Sequence, residues 1–180
     1  MSTRIVLSRV SDLSAEDRDA VRALSEAVYP PAQFAHAPGR KREWAAAEWS
    51  VRLFGEDGAL ASYVGICLRD GLYDGRPVRI GGIGSVKTHP AARKRGLAAL
   101  GIQRGADFFR QEGDVAFAVL VCEPRLLEYY GSLGWHPFAG TLRVTQRGVP
   151  EMFTFNRAMT YAVNEPAPGH GDIDLLGPPW

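Results

Sequence analysis

The chain has 180 residues, 46% of them hydrophobic, which suits one domain with a full core. Its 21 basic and 20 acidic side chains leave a formal charge of +1, so composition predicts no binding to nucleic acid or to an anionic membrane. No apolar run is long enough to cross a bilayer, and the first ten residues lack the apolar core of a signal peptide. The two cysteines, Cys67 and Cys122, are too few for a disulfide framework and predict buried, reduced thiols in a cytoplasmic protein.

The first predicted elements are a strand over residues 3–10 and a helix that follows Ser14. Ser14 precedes two acidic residues and is therefore an N-cap candidate. Apolar residues then recur at helical spacing, at Val21, Leu24 and Val28. The pair Pro30-Pro31 ends this helix. An Ala-rich segment, residues 42–49, predicts a second helix with Trp44 on one side.

Strand patterns dominate the middle of the chain. Three runs, over residues 50–54, 59–69 and 78–86, predict a meander of antiparallel strands. The turns between them are predicted at residues 55–58 and at Asp74-Gly75, a pair that tolerates the positive φ angles of a tight hairpin. A near-continuous apolar run, residues 114–121, is typical of a buried strand.

Residues 80–111 predict a strand, a basic loop and a helix in direct succession. Arg93, Lys94, Arg95 and Gly96 lie where the strand hands over to the helix N-terminus. This end of a helix presents free N–H groups and a partial positive charge, so the loop predicts binding of a phosphorylated ligand. The dinucleotide fingerprint and the phosphate loop both fail here, because Lys87 replaces the third glycine of the former and Val86 precedes Lys87 in the latter. A solvated basic turn is the alternative interpretation.

The pattern Arg93-x-x-Gly96-x-Ala98, preceded by a strand and Pro90, resembles the signature of the GNAT acetyltransferase superfamily. The predicted order of strands and helices is similar to the family's order as well. The resemblance implies an α/β GNAT fold, a mixed sheet of about seven strands flanked by about four helices. We expect a catalytic domain over residues 1–164 and a Pro-rich, Gly-rich tail over residues 165–180 that folds toward the acceptor site.

This resemblance implies acetyl-CoA as the cofactor, with its pyrophosphate held by the N–H groups of the loop. A strand N–H near Val86 would face the thioester carbonyl and stabilise its developing negative charge. The cofactor-binding residues implied are Ser85, Val86, Lys87, Thr88, Arg93, Lys94, Arg95, Gly96, Leu97 and Ala98.

A second motif, Tyr129-Tyr130 followed by Gly134-Trp135, resembles the family's short helix after the fifth strand. By this resemblance Tyr130 is the general acid that protonates the leaving thiolate. The alternative is that both tyrosines are packing residues. The fourth strand has Gly84-Ser85 where many relatives carry Glu, which leaves Glu123 as the best candidate for the base, followed by Glu43 and Glu151. The alternative for each of them is a solvated surface acid. Cys122 has no evident base beside it and is interpreted as a packed thiol rather than an acyl carrier.

The whole chain is similar to the aminoglycoside 2'-N-acetyltransferases, from Glu43-Trp44 to the acidic tail that closes on Trp180. This implies an amino-sugar acceptor, an aminoglycoside or a kasugamycin-like antibiotic, and a role in antibiotic resistance. Several acids in one cleft would suit a polycation. Val121, Cys122 and Glu123 replace the subgroup's serines and leave the drug open. The substrate-binding residues implied are Glu43, Trp44, Glu151, Asp172, Asp174 and Trp180, the last through its carboxylate.

Two other functions stay open: acetylation of a peptide, protein or other metabolite amine, and a non-catalytic acyl-CoA-binding module. No His or Cys spacing suits a metal, so no metal site is expected. The expected partner is a small-molecule amine, with no nucleic acid and no membrane. A homodimer through the strands of residues 141–160 is one option for the assembly.

Overall fold

The computed structural model describes residues 3–180 and contains one mixed β-sheet with helices on both faces. The α-helices are α1 (Ala15–Val28), α2 (Pro31–Phe34), α3 (Leu97–Glu112) and α4 (Leu127–Ser132). The strands are β1 (Arg4–Arg9), β2 (Trp49–Phe54), β3 (Leu60–Tyr73), β4 (Arg76–Thr88), β5 (Phe117–Cys122), β6 (His136–Pro137), β7 (Thr141–Gln146), β8 (Val149–Met152), β9 (Arg157–Ala162) and β10 (Asp172–Asp174). None of these helices has the length and apolar character that a membrane crossing requires.

Helix α1 begins where the capping signals predicted. The Asp17 N–H donates to the Ser14 hydroxyl at 3.1 Å, which satisfies one of the free donors of the first turn. Leu24 is buried at the centre of the predicted stripe. The helix ends before Pro30, as the missing N–H of proline requires.

The predicted helix over residues 42–49 is wrong. The segment is irregular up to Trp49, where β2 begins. Its backbone groups are bound by distant parts of the chain. The Gln146 side chain accepts from the Glu43 N–H at 3.0 Å and donates to the Glu43 carbonyl at 2.9 Å, and the Ala45 N–H donates to the Pro179 carbonyl at 2.7 Å. Tertiary hydrogen bonds therefore override the helix propensity of the alanines.

Strands β2, β3 and β4 form the predicted meander, with both hairpins at the predicted places. Asp74 and Gly75 have φ angles of 48° and 76°, the left-handed conformation that a two-residue hairpin loop needs. Strands β3 and β4 are longer than predicted, because their pairing continues from Ser62↔Thr88 to Tyr73↔Arg76.

The order of strands in the sheet is β6-β9-β5-β4-β3-β10-β7-β8, and β2 pairs with both β1 and β3. The β4–β5 and β10–β7 pairs are parallel, whereas the other pairs are antiparallel. The predicted α/β class with a mixed sheet is confirmed, and residues 3–180 form ten strands rather than about seven because the tail and two short edge strands join the sheet.

Helix α3 covers one face of the sheet at close range. A Cβ on Gly101 would lie 2.7 Å from a Val64 methyl, and one on Gly105 would lie 2.8 Å from the Ile83 side chain. These glycines therefore let the helix approach the strands. Phe109 of α3 is fully buried between the helix and the sheet. Shortening such a side chain to Ala costs about 3–5 kcal/mol.

The tail is part of the sheet rather than an extension from it. Strand β10 lies between β3 and β7, and Ile173 and Leu175 are buried. Trp180 is only 5% exposed and packs on the face opposite α3. The tail therefore contributes to the same core as Phe117 and Val119.

Candidate active site

Strands β4 and β5 separate at the centre of the sheet. Their parallel pairing stops at Gly82↔Val119, although both strands continue beyond this pair. Strand β4 contains a bulge at the same level, where Ser85 has a φ of 50° and the register with β3 shifts. A bulge bends its strand and leaves backbone groups unpaired. The two strands therefore open into a cleft whose walls carry free backbone groups.

The cleft has a volume of about 330 Å³. Its walls come from β4, from the end of β5, from α4, from Tyr29 just after α1, from Trp180, and from the segments around residues 44 and 156. The side chains and backbone that line it belong to Tyr29, Trp44, Ala45, Ile83, Gly84, Ser85, Val86, Lys87, Val121, Cys122, Glu123, Leu126, Tyr130, Asn156 and Trp180.

The predicted basic loop leads from the end of β4 to the N-terminus of α3. Its turn is set by Lys94 and Gly96, with φ angles of 62° and 74°. Within residues 3–180, none of Arg93, Lys94 and Arg95 forms an ion pair with an acidic side chain. Three cations without an acidic partner therefore precede the free N–H groups of a 16-residue helix, and one of them, Arg93, donates to the Thr88 carbonyl at 3.4 Å. Such a basic loop at a helix N-terminus suits a pyrophosphate.

Tyr130 lines the cleft from α4 and is 7% exposed, whereas Tyr129 is 37% exposed on the outside of the same helix. Burial raises the pKa of the Tyr130 hydroxyl, so it carries its proton at neutral pH. The Tyr130 carbonyl accepts from the Trp135 N–H at 3.2 Å, and the buried Trp135 anchors the end of the helix. Tyr130 thus combines a protonated hydroxyl with a fixed position in the cleft wall.

Glu123 lies directly after β5 at the edge of the cleft. Its carboxylate accepts from the Arg125 guanidinium at 2.6 Å, and the two side chains are 55% and 73% exposed. Solvent screens an ion pair this exposed, so it is only weakly stabilising and the carboxylate can exchange partners.

The surroundings of Cys122 and Lys87 argue against a chemical role for either side chain in the cleft. Burial raises the pKa of the Cys122 thiol to about 11, and its sulfur lies 3.8 Å from that of Met159. Lys87 donates to the Ser25 hydroxyl at 2.9 Å and lies over the Tyr63 ring, and burial lowers its pKa. The Lys87 side chain therefore extends toward α1 rather than toward the basic loop.

The structure brings only part of the predicted substrate set to the cleft. Trp44 and Trp180 line it, but four predicted acids do not, and each of these already has a partner. Glu151 pairs with Arg42 at 2.8 Å and Asp172 with Arg143 at 2.8 Å. Glu43 accepts from the Arg147 N–H and Asp174 from the Leu176 N–H.

Trp180 is held at the point where β4 and β5 separate. Its indole N–H donates to the Val119 carbonyl at 2.8 Å, and the Arg69 guanidinium lies 4.9 Å from the ring centre. A Cβ on Gly82 would lie 2.2 Å from the indole ring. The glycines of β4 therefore make room for this tryptophan.

Among the lining residues that the sequence analysis did not predict are two with polar groups that it never considered, Tyr29 and Asn156. Tyr29 follows α1, and Asn156 precedes β9, so neither lies in a recognisable motif. Only the pairing of distant elements brings them to the cleft. Among residues 3–180, no group of three or more His, Cys, Asp or Glu side chains is arranged to hold a metal ion.

Comparison with known proteins agrees with this geometry. A sequence model of the acetyltransferase (GNAT) domain matches residues 9–138. No curated protein matches the chain significantly. An acyl-CoA N-acyltransferase from Pseudomonas aeruginosa is similar in structure, with a TM-score of 0.62, 20% identity, and coverage of 89% of this chain and 100% of that one.

Two further similar structures were solved with the cofactor. A GNAT family N-acetyltransferase from Escherichia coli in complex with CoA has a TM-score of 0.62 and 17% identity, and the match covers 98% of this chain and 92% of that one. A GNAT family acetyltransferase from Brucella melitensis in complex with acetyl-CoA has a TM-score of 0.56 and 17% identity, with 94% of each chain covered. The chain therefore belongs to the GNAT family of N-acetyltransferases, whose co-substrate is acetyl-CoA.

Proposed function

We propose that this protein transfers the acetyl group of acetyl-CoA to a primary amine of a small molecule, by direct attack of the amine on the thioester. The observation that carries the proposal is the opening between β4 and β5, with Tyr130 on its wall. Amine and thioester held together in this opening react without a covalent enzyme intermediate. The inert, buried thiol of Cys122 agrees with direct attack.

The residues present fit acetyl-CoA in two places. The free cations Arg93, Lys94 and Arg95 and the N-terminus of α3 suit the pyrophosphate, and the unpaired edges of β4 and β5 suit the amides of the pantetheine arm. Acetyl-CoA supplies an activated acetyl group as a thioester. Backbone N–H groups freed at the Ser85–Val86 bulge would stabilise the negative charge that develops on its carbonyl oxygen.

Two side chains would move protons. Tyr130 would donate its proton to the leaving thiolate, a role that its position in the cleft wall supports, and burial keeps its hydroxyl protonated beforehand. The acceptor amine arrives as an ammonium ion and must lose a proton before it attacks. Glu123, exposed at the edge of the cleft and only weakly held by Arg125, would accept that proton directly or through water.

The finer proposal concerns the acceptor, an amino sugar acetylated at its 2'-amino group. Trp44 and Trp180 in the cleft wall support a sugar-like ring, because aromatic faces stack on apolar ring faces. The position of the four predicted acids outside the cleft supports an acceptor with few ammonium groups, such as a kasugamycin-like antibiotic, over a polycationic aminoglycoside. A drug-susceptibility assay on cells expressing the protein would test the associated role in resistance.

Three further expectations concern the tail at the acceptor site, the cellular location and the assembly. Trp180 lies in the cleft wall, which supports a tail that contributes to the acceptor side. Both cysteines are free and buried, which supports a cytoplasmic protein. Cell fractionation tests the location, and light scattering of the purified protein tests the homodimer.

Replacement of Tyr130 by Phe tests the mechanism. We expect kcat to fall by about 10²-fold or more, because a general acid typically contributes that much, while the Kd for acetyl-CoA stays within about twofold. Tyr129→Phe is the matched control, since Tyr129 lies outside the cleft. An unchanged kcat would remove Tyr130 from the chemistry and favour a non-catalytic acyl-CoA-binding module.

Mass spectrometry after incubation with acetyl-CoA and a panel of amines tests the substrate class. The panel should contain kasugamycin, tobramycin, simple monoamines and short peptides. A gain of one acetyl group together with release of free thiol is expected on a small amine. If only the peptides gained an acetyl group, the acceptor would be a peptide or protein amine instead.

A further inference from the structure

A second cavity adjoins the cleft on the side of the segment between α1 and β2. It has a volume of about 530 Å³ and is lined mainly by four aromatic side chains, those of Tyr29, Phe34, Trp44 and Phe155. Tyr29 meets Phe34 edge to face at 5.2 Å between ring centres, and Trp44 meets Phe155 in the same way at 6.3 Å. We refer to this cavity as the aromatic pocket.

The aromatic pocket and the cleft are neighbouring cavities that share part of their walls. Tyr29, Trp44, Glu123 and Asn156 line both of them. A molecule whose body lies in the pocket therefore has a path for one end into the cleft, where Tyr130 and the β4 bulge lie. Glu123 stands at the junction between the two spaces.

The surfaces in the pocket are suited to an apolar body rather than to a polar one. The Trp44 indole N–H already donates to the Gly39 carbonyl at 2.8 Å, so this side chain offers ring surface to a ligand. Aromatic side chains bind planar or apolar groups through stacking and edge contacts. Cavities of this size and composition are typical of small-molecule sites.

Charge limits the acceptor further. The pocket is lined by a single acid, Glu123, and a single base, Arg40. An adjoining cavity, which shares Pro38 and Phe155 with the pocket, carries three bases, at Lys41, Arg42 and Arg147, and one acid, Glu151. Glu151 is already paired with Arg42. Several ammonium groups would therefore meet more positive than negative charge here, whereas one ammonium group has Glu123.

We propose that the aromatic pocket is the acceptor site, and that it takes a monoamine with an aromatic or apolar body whose amine reaches the cleft beside Glu123. This inference rests on the proposed acetyl transfer and narrows its substrate class. It ranks aromatic monoamines above polycationic aminoglycosides. Amino sugars fit only when they carry one ammonium group and present an apolar face.

Steady-state kinetics with three probes tests this proposal at saturating acetyl-CoA. The probes are 2-phenylethylamine, ethanolamine, which lacks the aromatic body, and tobramycin, which is polycationic. We expect kcat/KM for 2-phenylethylamine to exceed both others by about tenfold or more. A higher kcat/KM for tobramycin would overturn the inference and leave acetyl transfer intact.

Two pocket variants and one control identify the site. Phe34→Ala and Phe155→Ala should raise KM for 2-phenylethylamine about tenfold and leave KM for ethanolamine within about twofold. Met152→Ala removes an exposed side chain outside the pocket and should change neither value. Either pocket variant serves if the other fails to fold. Unchanged KM values in a folded variant would contradict the proposal.

A binding measurement separates this inference from the proposed function. Quenching of tryptophan fluorescence by 2-phenylethylamine in the wild-type protein needs no turnover, and Phe34→Ala should weaken it. Glu123→Gln should weaken binding of 2-phenylethylamine but not of its neutral analogue 2-phenylethanol. Binding without acetyl transfer would refute the proposed function alone. Absence of binding would refute the aromatic pocket as the acceptor site.

Discussion

Tyr130 illustrates how the position of one residue changes its chemistry. Two adjacent tyrosines in the sequence are equivalent as residue types, but α4 turns one into the cleft and the other outward. Burial disfavours the phenolate, so the pKa of Tyr130 lies above that of an ordinary tyrosine, about 10. The proposed acid therefore stays protonated over the whole range in which the acceptor amine loses its proton.

The pH dependence of kcat/KM follows from this shift. We expect kcat/KM to rise with pH as the acceptor amine deprotonates, and to show no fall assignable to Tyr130 below the ordinary tyrosine pKa of about 10. Initial rates between pH 6 and pH 10 with one monoamine test this expectation. A decline of kcat/KM with rising pH inside this range that disappears in Tyr130→Phe would contradict it.

The two cysteines should be unreactive in the folded protein. Burial raises the pKa of both Cys67 and Cys122 to about 11, and the thiolate is the reactive form. At pH 8 only about a thousandth of each thiol would be ionised. We expect a thiol reagent to label neither cysteine rapidly in the native state and both after denaturation. Rapid labelling of one native thiol would show that its surroundings are more open than the structure describes.

At the scale of elements, the sheet depends on glycines that let other elements come close. A Cβ on Gly71 would lie 2.6 Å from the Asp174 carbonyl oxygen, and one on Gly140 would lie 2.1 Å from that of Gly171. These two positions therefore admit β10 between β3 and β7. Gly82 has the same role for Trp180. The sequence shows that these glycines exist but not which neighbour requires them.

A double-mutant cycle tests the contact between β4 and the tail. Gly82→Ala should lower the free energy of unfolding by about 1–3 kcal/mol, because the new methyl group overlaps the Trp180 ring. Trp180→Ala should cost about 3–5 kcal/mol through the cavity that it leaves. The double variant should cost clearly less than the sum, because the space vacated by the ring accepts the methyl group. The measurement is urea unfolding of all four proteins.

Gly131→Ala is the matched control for this cycle. A Cβ there meets no atom within 4 Å, and the residue lies inside α4. Ala at such a position should be neutral or stabilising by a few tenths of a kcal/mol to about 1 kcal/mol. Additive effects of Gly82→Ala and Trp180→Ala would show that the two residues are not in contact.

At the scale of the whole molecule, the tail is a structural part of the sheet as well as a wall of the cleft. Deletion of residues 172–180 removes β10 and the core side chains Ile173, Leu175 and Trp180 together. We expect a loss of at least about 3–5 kcal/mol and a fall in Tm of about 6 °C or more, measured by calorimetry. A truncated protein with an unchanged Tm would contradict this account of β10.

Because deletion of the tail is expected to destabilise the fold, the role of the tail in acceptor binding needs a test that leaves β10 in place. A truncation would change stability and binding at once, so a loss of activity would have no single interpretation. Single substitutions that keep the strand, such as Asp172→Asn, separate the two effects. Asp172 is partly exposed and paired with Arg143, so this change should alter stability by less than about 1 kcal/mol.

The sequence by itself determined those parts of the protein whose physical cause is local. The capping of α1 at Ser14, the hairpin at Asp74-Gly75 and the basic loop before α3 all depend on a few neighbouring residues, and all three are present. The family signature belongs to the same group, because its loop and its tyrosine helix are each contiguous in the chain. Backbone conformation and short-range hydrogen bonds act within such segments, so the structure of each segment can be predicted from its own residues.

Only the tertiary structure decided which distant residues meet. Residues 42–49 are irregular because Gln146 and Pro179 form hydrogen bonds with their backbone groups. Neither partner can be predicted from the local alanine-rich sequence. The four predicted acids lie outside the cleft, and Arg42 and Arg143 bind two of them there. Tyr29, Phe34, Trp44 and Phe155 form one pocket although up to 126 positions separate them in the sequence. Long-range pairing sets these contacts, because the energy of a contact depends on the spatial neighbours and not on the order of residues along the chain.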